Sequence, residues 1–91
     1  MKVRLAPAAE ADFERIRDTI VSENPAAAER LQRSFARSIE LLKFFPHLGR
    51  PGSVKGTREK PIKSFPYVIV YTVEAEELIV LRVYHGAQSR P

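Results

Sequence analysis

Residues 67–84 read Tyr67-Val68-Ile69-Val70-Tyr71-Thr72-Val73, then Glu74-Ala75-Glu76-Glu77, then Leu78-Ile79-Val80-Leu81-Arg82-Val83-Tyr84. Two runs of β-branched and aromatic side chains around a short acidic turn predict an antiparallel hairpin. Setting Val73 opposite Leu78 puts Tyr71 opposite Val80, Ile69 opposite Arg82 and Tyr67 opposite Tyr84. The other face then carries Val68, Val70, Leu81, Val83 and His85, so both faces are largely apolar. An antiparallel sheet ordinarily leaves one face polar for water. A second apolar face on so short a chain implies a surface that a partner covers.

Upstream of the hairpin, Thr57 to Phe65 contains Pro61, which cannot donate to a ladder, so a strand there lies at a sheet edge or stops short. Pro46 to Thr57 holds two prolines and three of the four glycines without periodicity, and reads as a loop. Asn24-Pro25 is the sharpest punctuation further back, because asparagine is a strong N-cap and proline fits the first helical position. From there Ala28, Leu31, Phe35, Ser38/Ile39, Leu42 and Phe45 keep three-four spacing down to Pro46, a helix about 30 Å long. Before Asn24, Pro7 opens another helix whose apolar face is Ala9, Phe13, Ile16 and Ile20; Glu10, Asp12, Glu14, Arg15, Arg17 and Asp18 take the remaining positions. Two helices joined by one short turn make an αα-hairpin. Met1 to Ala6 alternates apolar and basic residues as a short half-buried strand does. The fold class is therefore α+β: an N-terminal strand, an αα-hairpin, then a three-strand antiparallel meander forming one sheet with the first strand. At 91 residues this is one domain, 1–91.

Composition narrows the function. The chain has no cysteine, so disulfides and thiolate metal sites are out. No apolar run reaches signal-peptide or membrane-span length, which leaves a cytoplasmic protein as the expectation. His47 and His85 have no carboxylates at ligand spacing, and no glycine-rich phosphate loop is present, so neither metal nor cofactor is expected. Charge is localised. Lys43, Arg50, Lys55, Arg58, Lys60 and Lys63 stand against the single anion Glu59 between positions 43 and 63, a local +5, while the whole chain is only +4. Such a segment is either a solvated loop or the electrostatic footprint of a polyanion.

His85 follows the last strand, and an imidazole, the side chain type suited to proton transfer near neutral pH, could move a proton in RNA cleavage, with Glu59 as base and Arg58 and Arg82 on the scissile phosphate. A histidine in that position more often only hydrogen-bonds backbone, and Arg82 is equally readable as half of an ion pair, with Glu59 as the nearest candidate. Tyr67, Tyr71 and Tyr84 read as core or partner-contact aromatics.

Taken together, Asn24-Pro25, Phe45-Pro46-His47-Leu48-Gly49-Arg50, Gly56-Thr57-Arg58-Glu59, Pro66-Tyr67-Val68-Ile69-Val70-Tyr71 and Arg82-Val83-Tyr84-His85-Gly86 resemble, in order and spacing, the RelE/ParE superfamily of toxins from bacterial type II toxin–antitoxin modules. The resemblance spans essentially the whole chain. It implies a growth-inhibiting toxin neutralised by an antitoxin whose C-terminal segment wraps the helical hairpin and sheet groove, with Leu31, Phe35, Val68, Val70, Leu81 and Val83 as antitoxin contacts. It also implies one of two targets: DNA gyrase for ParE-like members, or ribosome-bound mRNA for RelE-like endonucleases. Arg50, Arg58, Lys60, Lys63 and Arg82 would touch phosphate or target, and His85 and Glu59 would be catalytic only in a nuclease. A third reading is a non-toxic antitoxin-binding regulator. RelE-like members commonly carry an arginine just after the tyrosine that opens the Tyr67 strand, and here it is Val68. Members with a histidine-based site often follow the histidine with tyrosine, and here it is Gly86. Both departures favour the ParE-like, non-enzymatic reading.

Overall fold

The computed structural model describes residues 1–86. Strand β1 (Lys2–Leu5) leads through Ala6 into α1 (Pro7–Glu23), which is followed by α2 (Pro25–Phe44). Asn24 separates the helices as expected: its side-chain oxygen accepts the Ala27 amide at 3.1 Å, and Pro25 takes the first helical position. The sheet then forms from β2 (Arg50–Pro51), β3 (Arg58–Pro61), β4 (Tyr67–Val73) and β5 (Glu77–His85) in the order β1-β5-β4-β3-β2. Three of the four neighbouring pairs are antiparallel, and β1 runs parallel to β5, Lys2 facing Glu77 and Leu5 facing Val80. Pro61 is the last residue of β3, where its missing N–H does no harm.

Two sequence expectations need correction. The loop from Pro46 to Thr57 contains a two-residue strand, β2, which pairs Arg50 with Glu59 and Pro51 with Arg58. The hairpin register holds from Val73/Leu78 to Tyr71/Val80 and then shifts by one residue, so that Val70 faces Arg82, Ile69 faces Val83, Val68 faces Tyr84 and Tyr67 faces His85. Leu81 is the extra residue of a β-bulge. Because side chains alternate with period two, one inserted residue exchanges the faces beyond it. Val83 therefore points into the core at 1% exposure instead of onto the open face.

The helices pack on one face of the sheet, α1 against β5. Leu31, Phe35 and Leu42 from α2 meet Ile69, Tyr71, Leu78, Val80 and Val83 from the sheet, with Ala9 and Ile62 completing the buried core. Phe13 stacks on Phe35 at 4.2 Å between ring centroids. Phe45, expected to continue the α2 stripe, is 60% exposed instead, because the helix ends at Phe44 and the backbone leaves its axis. No helix among the described residues is long and apolar enough to cross a membrane.

Tyr71 fastens the loop after α2 to the sheet. Its hydroxyl accepts the Gly49 amide at 2.8 Å and donates to the Pro46 carbonyl at 2.8 Å. Burial raises the Tyr71 pKa, while the Gly49 amide and the nearby Arg58 charge pull it partly back. Only glycine fits at position 49: a Cβ there would lie 2.7 Å from the Tyr71 hydroxyl and 2.8 Å from the Glu59 carbonyl oxygen. Gly49→Ala is expected to destabilise the fold by about 1–3 kcal/mol through this overpacking. Tyr71→Phe, which leaves a buried amide without its acceptor, should destabilise by a similar amount, about 1–3 kcal/mol. Urea unfolding followed by circular dichroism measures both.

Candidate functional site

Along the open face of the sheet, β3, β4 and β5 present Glu59, Val70, Leu81, Arg82 and Tyr84, and the loop after β2 adds Val54; together they line a small, mostly apolar cavity of about 140 Å³. Val54 is 46% exposed, and Val70, Leu81 and Tyr84 are half-buried. The expected second apolar face is thus real but narrower than the simple register implied. Leu31 and Val83 are fully buried and Phe35 is 7% exposed, all in the core between helices and sheet, and Val68 is 6% exposed. None of these four can serve as a contact surface in this fold. Of the six apolar residues assigned to a partner, Val70 and Leu81 remain accessible.

The expected phosphate contacts are placed as follows. Arg50 Nη2 lies 3.3 Å from Glu59 Oε1, and the Glu59 carboxylate is buried. Arg58, paired in register with Tyr71, donates from Nη1 to the Gly49 carbonyl at 2.7 Å and to His47 O at 3.4 Å. It braces the loop after α2. Lys60 Nζ donates to the Pro61 carbonyl at 2.9 Å, and Lys63 is exposed.

Arg82 is an ion pair, but its partner is Asp12 and not Glu59. Its Nε and Nη2 reach the two Asp12 carboxylate oxygens at 2.7 and 2.9 Å, a bidentate arrangement. Its guanidinium also lies 5.2 Å from the centroid of the Tyr84 ring. Asp12 additionally accepts the Val83 amide at 3.0 Å and Arg15 Nη2 at 3.3 Å. Its side chain is 2% exposed. Burial pushes the Asp12 carboxyl up, but the bonds from Arg82 and Val83, the Arg82 charge and the Arg15 bond outweigh it and hold it below the usual carboxylate range. The hydrogen bond from Asp12 in turn raises Arg82. Asp12 belongs to the core face of α1, contrary to its sequence assignment among the solvated positions. The signal was present: Asp12 follows Ala9 by three residues and precedes Ile16 by four, which is apolar-face spacing.

His85 and Glu59 do not meet. Glu59 stands across β4 from Arg82, through Val70, and His85 lies further along β5 opposite Tyr67. At about 3.3 Å per residue and 4.8 Å per strand, the two are separated by roughly 10 Å in each direction. General acid–base partners must approach to about 3 Å of the same reacting group, or act through one water. His85 is instead set edge-on to Tyr67, ring centroids 5.4 Å apart. Arg58 and Arg82 likewise have their guanidinium groups on different partners, Gly49 and Asp12.

Comparison with known proteins adds lineage to this geometry. A family model described as the ParE toxin of the type II toxin–antitoxin system parDE matches residues 3–90. The Sinorhizobium fredii protein Y4kP, described as a candidate toxin, is 33% identical over 72 residues, covering 79% of this chain and 74% of that protein. Among solved structures, a chain of the chromosomal ParDE toxin–antitoxin system of P. aeruginosa superposes with a TM-score of 0.83 at 24% identity, covering 93% of this chain and 95% of that one. A chain of the RelBE2 toxin–antitoxin complex of Mycobacterium tuberculosis has a TM-score of 0.52 at 18% identity, with 96% and 92% covered. The structural likenesses establish a shared fold.

The Asp12 arrangement has a defined pH signature. With its folded pKa held below the ordinary value of about 3.9, its stabilising contribution is complete above that value and is lost as pH falls through the folded one. Asp12→Ala leaves the Val83 amide without its acceptor and is expected to destabilise by about 1–3 kcal/mol near neutrality. Below about pH 4 the variant's stability should fall less steeply than the wild type's, since the group that titrates is gone. Urea unfolding across pH 2.5–7 reads both effects.

Proposed function

The chain belongs to the ParE toxin family of type II toxin–antitoxin systems, and from that membership we propose that it arrests growth by inhibiting DNA gyrase and is neutralised by a cognate antitoxin. What supports gyrase over mRNA as the target is the dispersal of the groups a nuclease would need. His85 and Glu59 stand too far apart to share a reacting phosphate, and Arg58 and Arg82 hold the loop and α1 instead of converging. A phosphoryl-transfer site without preorganised cations lacks its main source of transition-state stabilisation. Both actions belong to the cytoplasm, where this reading places the protein.

For the antitoxin, the open sheet face is the proposed landing surface. Val70, Leu81 and Tyr84, with Val54 overhanging them, form an apolar depression, and Arg50, opposite Glu59 in β3, lies beside it. An extended or helical segment with apolar anchors and acidic flanks fits that pattern.

Supercoiling by purified gyrase is the decisive assay. Stoichiometric addition of the chain should block it, and induction in cells without antitoxin should give DNA breaks while transcripts stay whole. Transcripts cut at ribosomal A-site codons, with gyrase unaffected, would overturn the gyrase reading. His85→Ala should leave growth arrest unchanged, whereas a nuclease that used this histidine as its acid would lose about 10²-fold in rate. Leu81→Asp puts a charge into the apolar depression. It should leave toxicity intact while co-expressed antitoxin no longer restores growth.

A further inference from the structure

Among the cations that composition singled out, Arg50, Arg58 and Lys60 are engaged, and a second set of cations lies on α2. On α2, Arg30, Arg33 and Arg37 share one side of the helix and line, with Ser34, Ser64 and Phe65, an open groove of about 500 Å³. Ser34 Oγ donates to the Lys63 carbonyl at 2.7 Å, which fixes the turn carrying Ser64 and Phe65 against the helix and brings Lys63 to the rim. Among the described residues, Arg30 and Arg37 make no ion pair, and Arg33 has only a 4.0 Å approach to the exposed Glu29. In the basic loop, by contrast, Arg50 is paired with Glu59 and Arg58 is bound to backbone carbonyls.

We propose that this α2 groove binds the phosphate backbone of duplex DNA without reading its sequence. Three observations favour that occupant over an acidic peptide. The one large apolar side chain in the groove, Phe65, is half-buried beside three arginines and two serines, whereas protein-binding patches build on apolar anchors and protein–DNA interfaces are polar and positive. The three cations are all arginine, whose planar fork grips phosphate in a bidentate manner. Their spacing fits as well: from Arg30 to Arg37 α2 advances about 10 Å at 1.5 Å per residue, and one strand of B-DNA presents a phosphate about every 3.4 Å along the axis, so three or four fall within reach. Contacts to phosphate carry no sequence information and release counterions, so the proposed binding is non-specific and salt-sensitive.

This proposal does not depend on gyrase being the target, and its assay contains no gyrase. A fluorescein-labelled 20-base-pair duplex is titrated with the full chain by anisotropy between 50 and 200 mM salt. The wild type should bind, with log K falling linearly in log salt. Arg30→Gln/Arg33→Gln/Arg37→Gln should flatten that slope by about 0.9 per arginine and weaken binding about tenfold or more at 50 mM salt. The matching triple lysine variant should keep the slope, and Arg50→Gln should barely alter it. Circular dichroism verifies the fold, and if the triple glutamine variant fails to fold, each single glutamine variant should remove about 0.9 of slope. No duplex binding by the wild type would overturn the proposal. So would an unchanged slope in the glutamine variants, or tighter binding of single-stranded RNA or of polyglutamate than of the duplex.

Discussion

Where β1 stops at Leu5, β5 continues, and the Val83 amide is left facing the early turns of α1; the Asp12 carboxylate occupies that place. Only Ala6 lies between strand and helix, and its amide donates to Val80 O at 2.8 Å, so the chain turns from the sheet edge straight into α1. The same carboxylate takes both prongs of Arg82. A buried ion pair is weak evidence of stability, because desolvation offsets the Coulomb gain. Here the carboxylate is inside but the arginine side chain remains 43% exposed, so only one charge is deeply desolvated, and it has charged and neutral donors around it. The chief effect is to set the helical layer over β5 in one position. Everything above the sheet, including the Phe13–Phe35 stack and the α2 residues behind it, depends on that placement.

The bulge at Leu81 serves the same arrangement. In the uninterrupted register Val83 would face outward and the face with Arg82 would be the core face. The inserted residue turns Val83 inward and leaves Leu81 and Arg82 on the open cavity, from which Arg82 still reaches Asp12. One irregularity thus supplies a core residue and an accessible apolar anchor.

Much of this was legible in the sequence. Asn24-Pro25, the three-four apolar spacing and the paired β runs each carry a local signal, and they placed both helices and the hairpin correctly. The bulge carries no such signal: Leu81 is flanked by Val80 and Arg82, without glycine or proline, and the shift shows only in the tertiary packing that buries Val83. β2 hid inside a stretch rich in glycine and proline because a two-residue strand leaves no periodicity to detect. The charge count for the basic loop was right as arithmetic, but it could not reveal which cations already had partners. Arg58 against Gly49 O and Arg82 against Asp12 are tertiary facts, and they change what a positive segment can do.

The parallel pairing of β1 with β5 sets an order on how the molecule can be made. Lys2–Leu5 leaves the ribosome before the other strands described here, yet its partners are Glu77 to Val80, and Arg4 meets Glu77 at 3.2 Å. Until that late segment has emerged, the first strand has no neighbour and α1 has no sheet to cover; the Asp12 carboxylate likewise lacks both Arg82 and the Val83 amide. Contacts this distant along the chain form slowly, because the intervening loop must close first. A nascent chain of this design stays unfinished as a fold until β5 has emerged, and so the surfaces that β1, α1 and β5 share assemble together.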